Sequence, residues 1–492
     1  MDMAAGNGHT ESFLEETRKA AKRILEHVKK GVLISVVSHN DADGISAAGV
    51  MGAALSRINA SYRLRIERWF DVEVAEEIAN ENSLTVLTDL GSGYLDVLNE
   101  KAEGKPLVIL DHHQPIGEAD KAFLHVNPQL FGFDSARDIS GAGISYLTAK
   151  AVSEKNLDLA CVAIVGALGD MQDKNKERQL GGLNRIVVED AVKSGGLELV
   201  TDLLFFGRET RPIHKALAYT TTPFIPGISG EEDRSLDFLA GQGIKPKIGE
   251  KWRALRDLSQ DEKRQLFSAL SDHLVSRGLK SDVAMELLGT VYVLTREEPW
   301  TPLRDAREFS LLLNATGRTG KAGLGVAICM GDRGGCLEEA NVALNEYRQS
   351  ITDILRWIEA HPDRVEEMRS IYVLHGGESV DEKMISAVST IITMNMPNTE
   401  KPVIAYAVVP DENIIKISAR TVDALTSRGF NIGEIMREVS ERFSGTGGGH
   451  DVAAGAQVPI KSREAFLRLV DELVSESLKK LTKHGNRNQT SL

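Results

Sequence analysis

The spacing of apolar positions changes several times along the chain, and each change marks an element. Phe13, Leu14, Ala20, Ala21, Ile24, Leu25 and Val28 recur at helical spacing, with Gly31 where a C-terminal cap belongs, which predicts a helix over 11–30. Beyond it, short apolar runs at 32–37, 62–70, 84–87 and 107–110 alternate with helical patterns such as 45–55. That alternation predicts a mostly parallel sheet with helices on its faces. Helical stretches over about 142–154 and 157–168 close this first region, taken here as 1–194.

Residues 195–305 read differently, with Gly195, Gly196, Pro212, Pro223, Pro226 and Pro246 around a charged helical stretch at 259–276, and they predict a largely helical insertion. A new apolar strand pattern begins near Phe309, and a long helix over 338–359 follows it; together they make 306–370 a connecting region of strands and one helix. A second, smaller α/β domain is expected over 371–484. It opens on the strand-like run 371–374 and ends in a helix whose stripe is Phe466, Leu467, Leu469, Val470, Leu473, Val474 and Leu478. The polar tail, 485–492, is expected to fray. The fold class is therefore α/β, with a parallel-sheet domain, a helical insertion, a second α/β domain and a cleft between the two domains.

The 492 residues allow roughly three domains at about 150 residues each. Hydrophobic and charged contents of 42% and 26% are those of a folded, water-exposed protein. The net charge of −13 repels polyanions at long range, so any handling of nucleic acid requires a local reversal of that field. From residue 371 onward 14 basic residues nearly balance 15 acidic ones, which makes the second domain the less repulsive part. Cys161, Cys329 and Cys336 are too few for a disulfide framework and form no Cys-x-x-Cys pair. Cys329 and Cys336 read as small buried apolar residues. No apolar run approaches the ~18 residues of a membrane span, and no signal peptide is evident. A reducing, cytoplasmic setting without membrane contact is expected.

The chemistry is concentrated where the first-domain strands end. The run 32–37 leads into Ser38-His39-Asn40-Asp41-Ala42-Asp43-Gly44, 84–87 into Thr88-Asp89, 107–110 into Asp111-His112-His113, and a helix reaches Gly169-Asp170. Ligands of open α/β sheets bind outside the carboxyl ends of the strands. Alternation along an extended segment would put His39, Asp41 and Asp43 on one side, with Gly44 turning the chain into the next helix. A single aspartate after a strand is ordinarily a solvated turn or a helix cap, and paired histidines are ordinarily surface or core residues. It is the joint occurrence of the motifs, each behind an apolar run, that points to a site. Carboxylates mixed with imidazoles suit a divalent metal, manganese first and magnesium second. The charges of Asp41, Asp43, Asp89 and Asp170 would be neutralised by two such ions. Ions roughly 3.5–4 Å apart catalyse in-line displacement at phosphorus, so phosphoester hydrolysis is the expected reaction.

These motifs resemble those of the DHH phosphoesterase superfamily, named for a triplet like Asp111-His112-His113. Gly447-Gly448-Gly449-His450-Asp451 with the following Val-Ala-Ala-Gly is similar to the glycine-rich signature of its DHHA1-type accessory domain, so the resemblance spans residues 38–455. Length, the Asp-Ala-Asp-Gly form and the insertion look most like the archaeal RecJ-like, GINS-associated single-strand exonucleases. The resemblance implies that His39, Asp41 and Asp89 hold one metal and Asp43, Asp89, His112 and Asp170 the other, with Asp89 bridging. It implies that Asp111 orients a ligand and that His113 faces the scissile phosphate. Gly445 to Gly449 expose backbone N–H groups that can cradle an anion, and Ser418 and Arg420, with His450, are implied to contact substrate phosphate; taken alone, Arg420 reads as a surface ion-pair partner.

The activity so implied is metal-dependent exonuclease action on single-stranded DNA, with RNA as a further substrate, in replication or repair, with docking to GINS of a replicative helicase through the insertion. The alternatives are a phosphodiesterase of short oligonucleotides or cyclic dinucleotides and a catalytically silent replication scaffold. The Gly317-Arg318-Thr319-Gly320-Lys321-Ala322 segment superficially matches a phosphate-binding loop but fails its pattern at Ala315 and Ala322. It reads as a strand-to-loop turn, with Arg318 a weak candidate for a substrate contact.

Overall fold

In the computed structural model, residues 2–489 are described except 176, 221–222 and 397–399. The chain divides into two compact units, Met1–Leu344 and Asn345–Leu492. The first unit is built on five parallel strands, β1 (Ile34–His39), β2 (Tyr62–Glu67), β3 (Leu84–Thr88), β4 (Leu107–Leu110) and β5 (Phe123–Val126). Their order is β2-β1-β3-β4-β5. Helices α1 (Asp2–Lys29), α2 (Ala42–Arg57), α3 (Val72–Asn80), α4 (Leu95–Ala102), α5 (Gly141–Val152), α6 (Ala160–Gly169) and α7 (Asn184–Lys193) surround the sheet. Strands β1, β3 and β4 are covered on both faces, so burial along them is nearly continuous and their residues are mostly apolar, interrupted only by small hydroxyl side chains and the terminal His39. After β1 the chain steps outward to β2 and then crosses back to place β3 on the other side of β1. The resulting switch point, where such sheets open a crevice, lies between the two motif-bearing strands.

The insertion, expected to be largely helical, is bracketed by an antiparallel ribbon of β6 (Leu197–Leu203) and β9 (Leu288–Leu294). Between them lie α8 (Ile213–Ala218), α9 (Glu232–Gly241), a hairpin of β7 (Lys247–Ile248) and β8 (Lys251–Trp252), α10 (Gln260–Ser276) and α11 (Ser281–Met285). Leu203, Phe205, Ile213, Leu217, Leu266, Leu270, Leu274 and Leu287 give this part its own buried core.

The strand pattern expected from Phe309 is overturned. Residues 306–318 form helix α12 (Ala306–Arg318), followed by α13 (Ala322–Cys329) and α14 (Gly335–Ala360). Phe309, Leu312, Leu313 and Thr316 are buried while Leu311 is only partly so, which is helical spacing; a strand would have buried 309, 311 and 313. The apolar run was read as a strand because it is short and dense, where periodicity discriminates poorly. Gly317 to Ala322 accordingly joins two helices instead of a strand and a loop. Cys329 is buried as expected, whereas Cys336 is partly exposed.

The second unit carries a six-stranded sheet, in the order β10 (Val365–Glu367), β11 (Tyr372–Gly377), β12 (Val403–Val409), β13 (Ile414–Arg420), β15 (Ala453–Pro459) and β14 (Thr446–Gly449). Only β11 and β12 pair in parallel. Helices α15 (Ile385–Asn395), α16 (Asp423–Thr426), α17 (Ile432–Arg442) and α18 (Arg463–Gln489) complete it. Helix α18 runs into the segment expected as a polar tail, of which 490–492 lie outside the described residues. No helix among the described residues is long and apolar enough to cross a membrane.

The helical reading of α12 predicts that Leu312→Ala costs about 2–5 kcal/mol of stability, whereas Leu311→Ala costs well under half as much. Urea unfolding of both variants measures this, and equal losses would contradict the helix.

Candidate metal centre

The residues at the strand ends are brought together by three different backbone devices. Strand β1 stops at His39, Asp41 caps α2 by accepting the Gly44 N–H at 3.0 Å, and Asp43 sits in the first turn of that helix. The side-by-side placement of His39, Asp41 and Asp43 thus comes from a strand-to-helix transition and not from the expected alternation, and Gly44 is inside the helix instead of turning into it. Asp89 follows β3 with φ 56°, a left-handed conformation that aspartate tolerates better than most residues. Gly141 opens α5 directly against it, and a Cβ on that glycine would lie 2.6 Å from the Asp89 Cβ. This close approach lets the N-terminus of α5 reach Asp43 as well: Asp43 Oδ2 accepts from Gly141 N at 2.7 Å and Oδ1 from Ala142 N at 3.0 Å. The free N–H groups and dipole of a helix start favour the charged carboxylate there. Asp170 lies at the C-terminal end of α6.

Asp89 occupies the centre. His39 Nδ1 is 2.9 Å from Asp41 Oδ2 and 3.8 Å from Asp89 Oδ2. On the other side His112 Nε2 lies 3.3 Å from Asp89 Oδ1, 3.3 Å from Asp170 Oδ2 and 3.8 Å from Asp43 Oδ2. His39, Asp41 and Asp89 form one group of potential ligands, and Asp43, Asp89 and His112 a second, each with donor atoms within 4.8 Å of one another. Both groups fit a divalent ion on three counts. The two carboxylate oxygens of Asp89 are buried and accept no hydrogen bond among the described residues, although burying a carboxylate unsatisfied is expensive. His112 Nδ1 is 2.8 Å from the Ser135 carbonyl, so it carries the proton and Nε2 is the ligand atom facing the carboxylates. The mixed carboxylate and imidazole donors are those of first-row divalent metals.

Asp111 is of a different kind. Its Oδ2 accepts from Ser92 N at 2.8 Å, and its Oδ1 accepts from the N–H groups of His112 and His113 at 2.8 and 3.2 Å and from His113 Nδ1 at 2.8 Å. A carboxylate so engaged positions others. Its side-chain partner is His113, and it also holds the backbone of His112, one of the expected metal ligands.

Crowding of like charge perturbs the whole group. Burial, reinforced by Asp43 and Asp41, raises Asp89 well above the carboxylate range. Burial also raises Asp170 to about 6, with His112 opposing and Asp43 and Asp41 adding to it. Burial pushes His112 down, but Asp170, Asp43 and Asp111 outweigh it and bring the imidazole up to about 9. His113 also reaches about 9, with Asp111 overcoming burial. At Asp41 burial is again outweighed, by His39, the Gly44 N–H and Arg318 at the end of α12, and the carboxyl falls below its usual range. Protons thus hold together a cluster whose natural counter-charges are cations.

Several supporting residues escaped the sequence reading. Asn127 donates to the His113 carbonyl at 2.8 Å and to Ser92 Oγ at 2.9 Å. Gln129 and Gln172 hold Ser135, the acceptor for His112, and Asn184 holds Gln172. Asn314 of α12 accepts from Ala42 N, the first helical N–H of α2, at 2.9 Å. Asn127 directly follows β5, so the strand-end logic would have found it had β5 been recognised. The others carry no local signal.

In the second unit, Ser418 and Arg420 lie on β13 and Gly447 to Gly449 on β14, with β15 between them. Ser418 and Gly448 are both paired with Gly455 and form one row across the sheet. The glycines form an edge strand paired with β15, and α17 packs directly over them: a Cβ at Gly447 would lie 2.2 Å from Ser440 Oγ. His450 N donates to the Ala453 carbonyl at 2.8 Å in the turn between β14 and β15. Ladder alternation then directs the N–H groups of Gly447 and Gly449 to the open edge. Ser418 is buried against Ser389 of α15, their hydroxyls 2.9 Å apart. Arg420 is half-buried, with Nε donating to Thr390 Oγ1 at 3.0 Å.

Comparison with known proteins matches residues 33–166 to the DHH family N-terminal domain, 205–288 to the DHH-CID domain and 370–476 to the DHHA1 domain. An uncharacterised protein of Methanocaldococcus jannaschii is 31% identical over 475 residues, covering 95% of this chain and 99% of that protein. The single-stranded-DNA-specific exonuclease RecJ of Bacillus subtilis is 24% identical over 198 residues, 36% of this chain and 25% of its own length. Among solved structures, Thermus thermophilus RecJ in complex with Mn2+ gives a TM-score of 0.58 at 19% identity, covering 94% of this chain and 55% of that one. CDC45 of Entamoeba histolytica gives 0.60 at 9% identity, covering 94% and 99%.

Two measurements test the centre. A raised imidazole pKa stabilises the fold fully below about 6.5 and is lost as pH rises through the folded value, which is about 9 for His112. The buried His112 alone makes this on the order of 3 kcal/mol, and the raised Asp170 carboxyl acts in the same direction at lower pH. Metal-stripped protein should therefore lose stability in chemical denaturation between pH 6.5 and 9, and manganese should restore it. Asp89→Asn removes the most disfavoured charge, so the metal-free variant should melt higher than the parent at pH 8 and gain nothing from manganese; a parent-like gain would refute the ligand assignment.

Proposed function

From its membership of the DHH family, on the RecJ-like plan of DHH, DHH-CID and DHHA1 domains, we propose that the chain is a metal-dependent exonuclease that hydrolyses phosphodiester bonds of single-stranded DNA in replication or repair. The observation that carries this reading is Asp89, whose two buried oxygens accept no hydrogen bond among the described residues and are set between two groups of potential ligands. His39, Asp41 and Asp89 would hold one divalent ion, and Asp43, Asp89, His112 and Asp170 a second, with manganese suited to the mixed carboxylate and imidazole donors and magnesium the alternative. Bound there, the ions would supply an activated water and neutralise charge developing on the phosphoryl group.

The chain's own residues do the rest. The Asp111 carboxylate holds His113 Nδ1 at 2.8 Å, which fixes the ring and keeps it protonated at neutral pH. Its Nε2 would donate to a phosphoryl oxygen of the substrate, in a hydrogen bond that strengthens as negative charge accumulates. Arg318, close enough to lower the Asp41 pKa, adds a cation beside the same group. On the second unit, Arg420, Ser418, His450 and the edge N–H groups of Gly447 and Gly449 offer the donor types that bind backbone phosphates. Retention of the full ligand set favours catalysis over a silent scaffold, since a scaffold has no need to crowd aspartates.

The test is digestion of end-labelled single strands, DNA beside RNA, with manganese. Stepwise release from one end is expected, with His113→Gln lowering kcat about 10²–10³-fold. Faster cleavage of a dinucleotide than of a long strand would move the assignment to a short-oligonucleotide phosphodiesterase, and undiminished activity of Asp89→Ala would remove the metal centre from the reaction.

A further inference from the structure

The insertion wears aromatic rings on its surface. Phe206, Tyr219, Trp252 and Trp300 are 40%, 45%, 39% and 52% exposed, although aromatic side chains usually supply buried area. Each has a cation against its ring. Arg211 lies over both Phe206 and Tyr219, at 4.6 and 4.8 Å, and Lys247 over Trp252 at 4.2 Å. Lys251 and Arg256 both lie 4.6 Å from the ring centre of Trp300. Such contacts occur about once per 70–80 residues, so their density here is a local feature.

Named contacts make these groups one band. Lys247 and Trp252 are cross-strand partners in the β7–β8 hairpin, whose Lys251 reaches Trp300. Trp252 stacks on His214 of α8 with ring centres 4.5 Å apart, and α8 connects Arg211 to Tyr219. Trp300 has φ 60°, which a bulky residue rarely adopts and which is typical of strained functional positions. Its backbone N–H donates to Glu209 Oε1 at 3.0 Å and its indole N–H to Asp257 Oδ1 at 2.9 Å, so hydrogen bonds hold the ring where the core does not. Acidic groups lie nearby: Glu209 also pairs with Arg256, and Glu232 with Lys215. Lys247 and Lys251, by contrast, form no ion pair among the described residues and direct their charge onto rings. Residues 205–300 hold 14 basic and 14 acidic side chains, so this segment escapes the repulsion that a net charge of −13 imposes elsewhere.

We propose that this band is a second binding surface for single-stranded nucleic acid, with bases stacked on the rings and phosphates held by Arg211, Lys247 and Lys251. The substrate class rests on the nuclease reading above. A polymer that presents one flat base and one phosphate per step matches rings interleaved with cations, whereas a folded protein partner is met by rings gathered in an uncharged centre.

The experiment uses the full chain and a fluorescein-labelled thirty-residue deoxythymidine strand, with EDTA present so that binding is read without turnover. The parent should bind with quenching of tryptophan fluorescence. Trp252→Ala/Trp300→Ala should lose that quenching and bind at least about tenfold more weakly. Lys247→Glu/Lys251→Glu, which leaves the rings in place, should do likewise and reduce the salt dependence of binding. Both variants should hydrolyse a deoxythymidine trimer with manganese within twofold of the parent, so failure of the nuclease reading would show as an inactive parent, separately from the binding result. If the tryptophan variant does not fold, the lysine variant decides. Parent-like strand binding by the lysine variant, or by a folded tryptophan variant, overturns the proposal and leaves the band to a protein partner.

Discussion

Mutual repulsion among carboxylates is the constraint around which the first unit is arranged. Asp41, Asp43 and Asp170 converge on Asp89, whose oxygens accept no hydrogen bond among the described residues. The protein tolerates this by fixing the surrounding charges. The N-terminus of α5 presents two N–H groups to Asp43, α2 is capped by Asp41, and the His112 ring is anchored by the Ser135 carbonyl. Such an assembly is costly in an empty fold and becomes favourable when cations replace protons. Stability that could have gone into the fold is kept for binding.

Around that centre the chain separates load from contact. The insertion has its own apolar core, so its surface can carry rings and cations without weakening the parallel sheet. The second unit likewise has an independent core, formed by residues such as Ile404, Ile417, Met436 and Phe466, beneath the sheet that carries Ser418, Arg420 and the glycine edge. In each case a separate interior carries the stability, so the polar groups on the covering elements are not needed to hold the core together.

The sequence displayed the centre more clearly than its supports. His39, Asp41, Asp43, Asp89, Asp111, His112, His113 and Asp170 were legible because each follows an apolar run, and the crevice at strand ends is a property of the fold class. The error over His39 to Gly44 arose from extending strand alternation past His39, where the helix had already begun. The error at Phe309 arose from local density: Leu311, Leu312 and Leu313 are consecutive, and three adjacent leucines show neither a strand period nor a helical one. Strand β5 escaped because it is only four residues long with two interior positions partly exposed. Ser135, Gln129 and Gln172 could not have been read at all, since their roles exist only through contacts across the folded chain.

The hydrogen bond from Ala42 N to Asn314 bears on modularity. It ties the start of the first motif helix to a side chain encoded 272 positions later, on the far side of the whole insertion. An excised gene fragment ending at residue 194 would contain every aspartate and histidine of the centre yet lack the clasp that seats α2. Any minimal fragment of this chain meant to keep the centre seated must therefore retain α12 and bridge the gap from 195 to 305 instead of stopping before it.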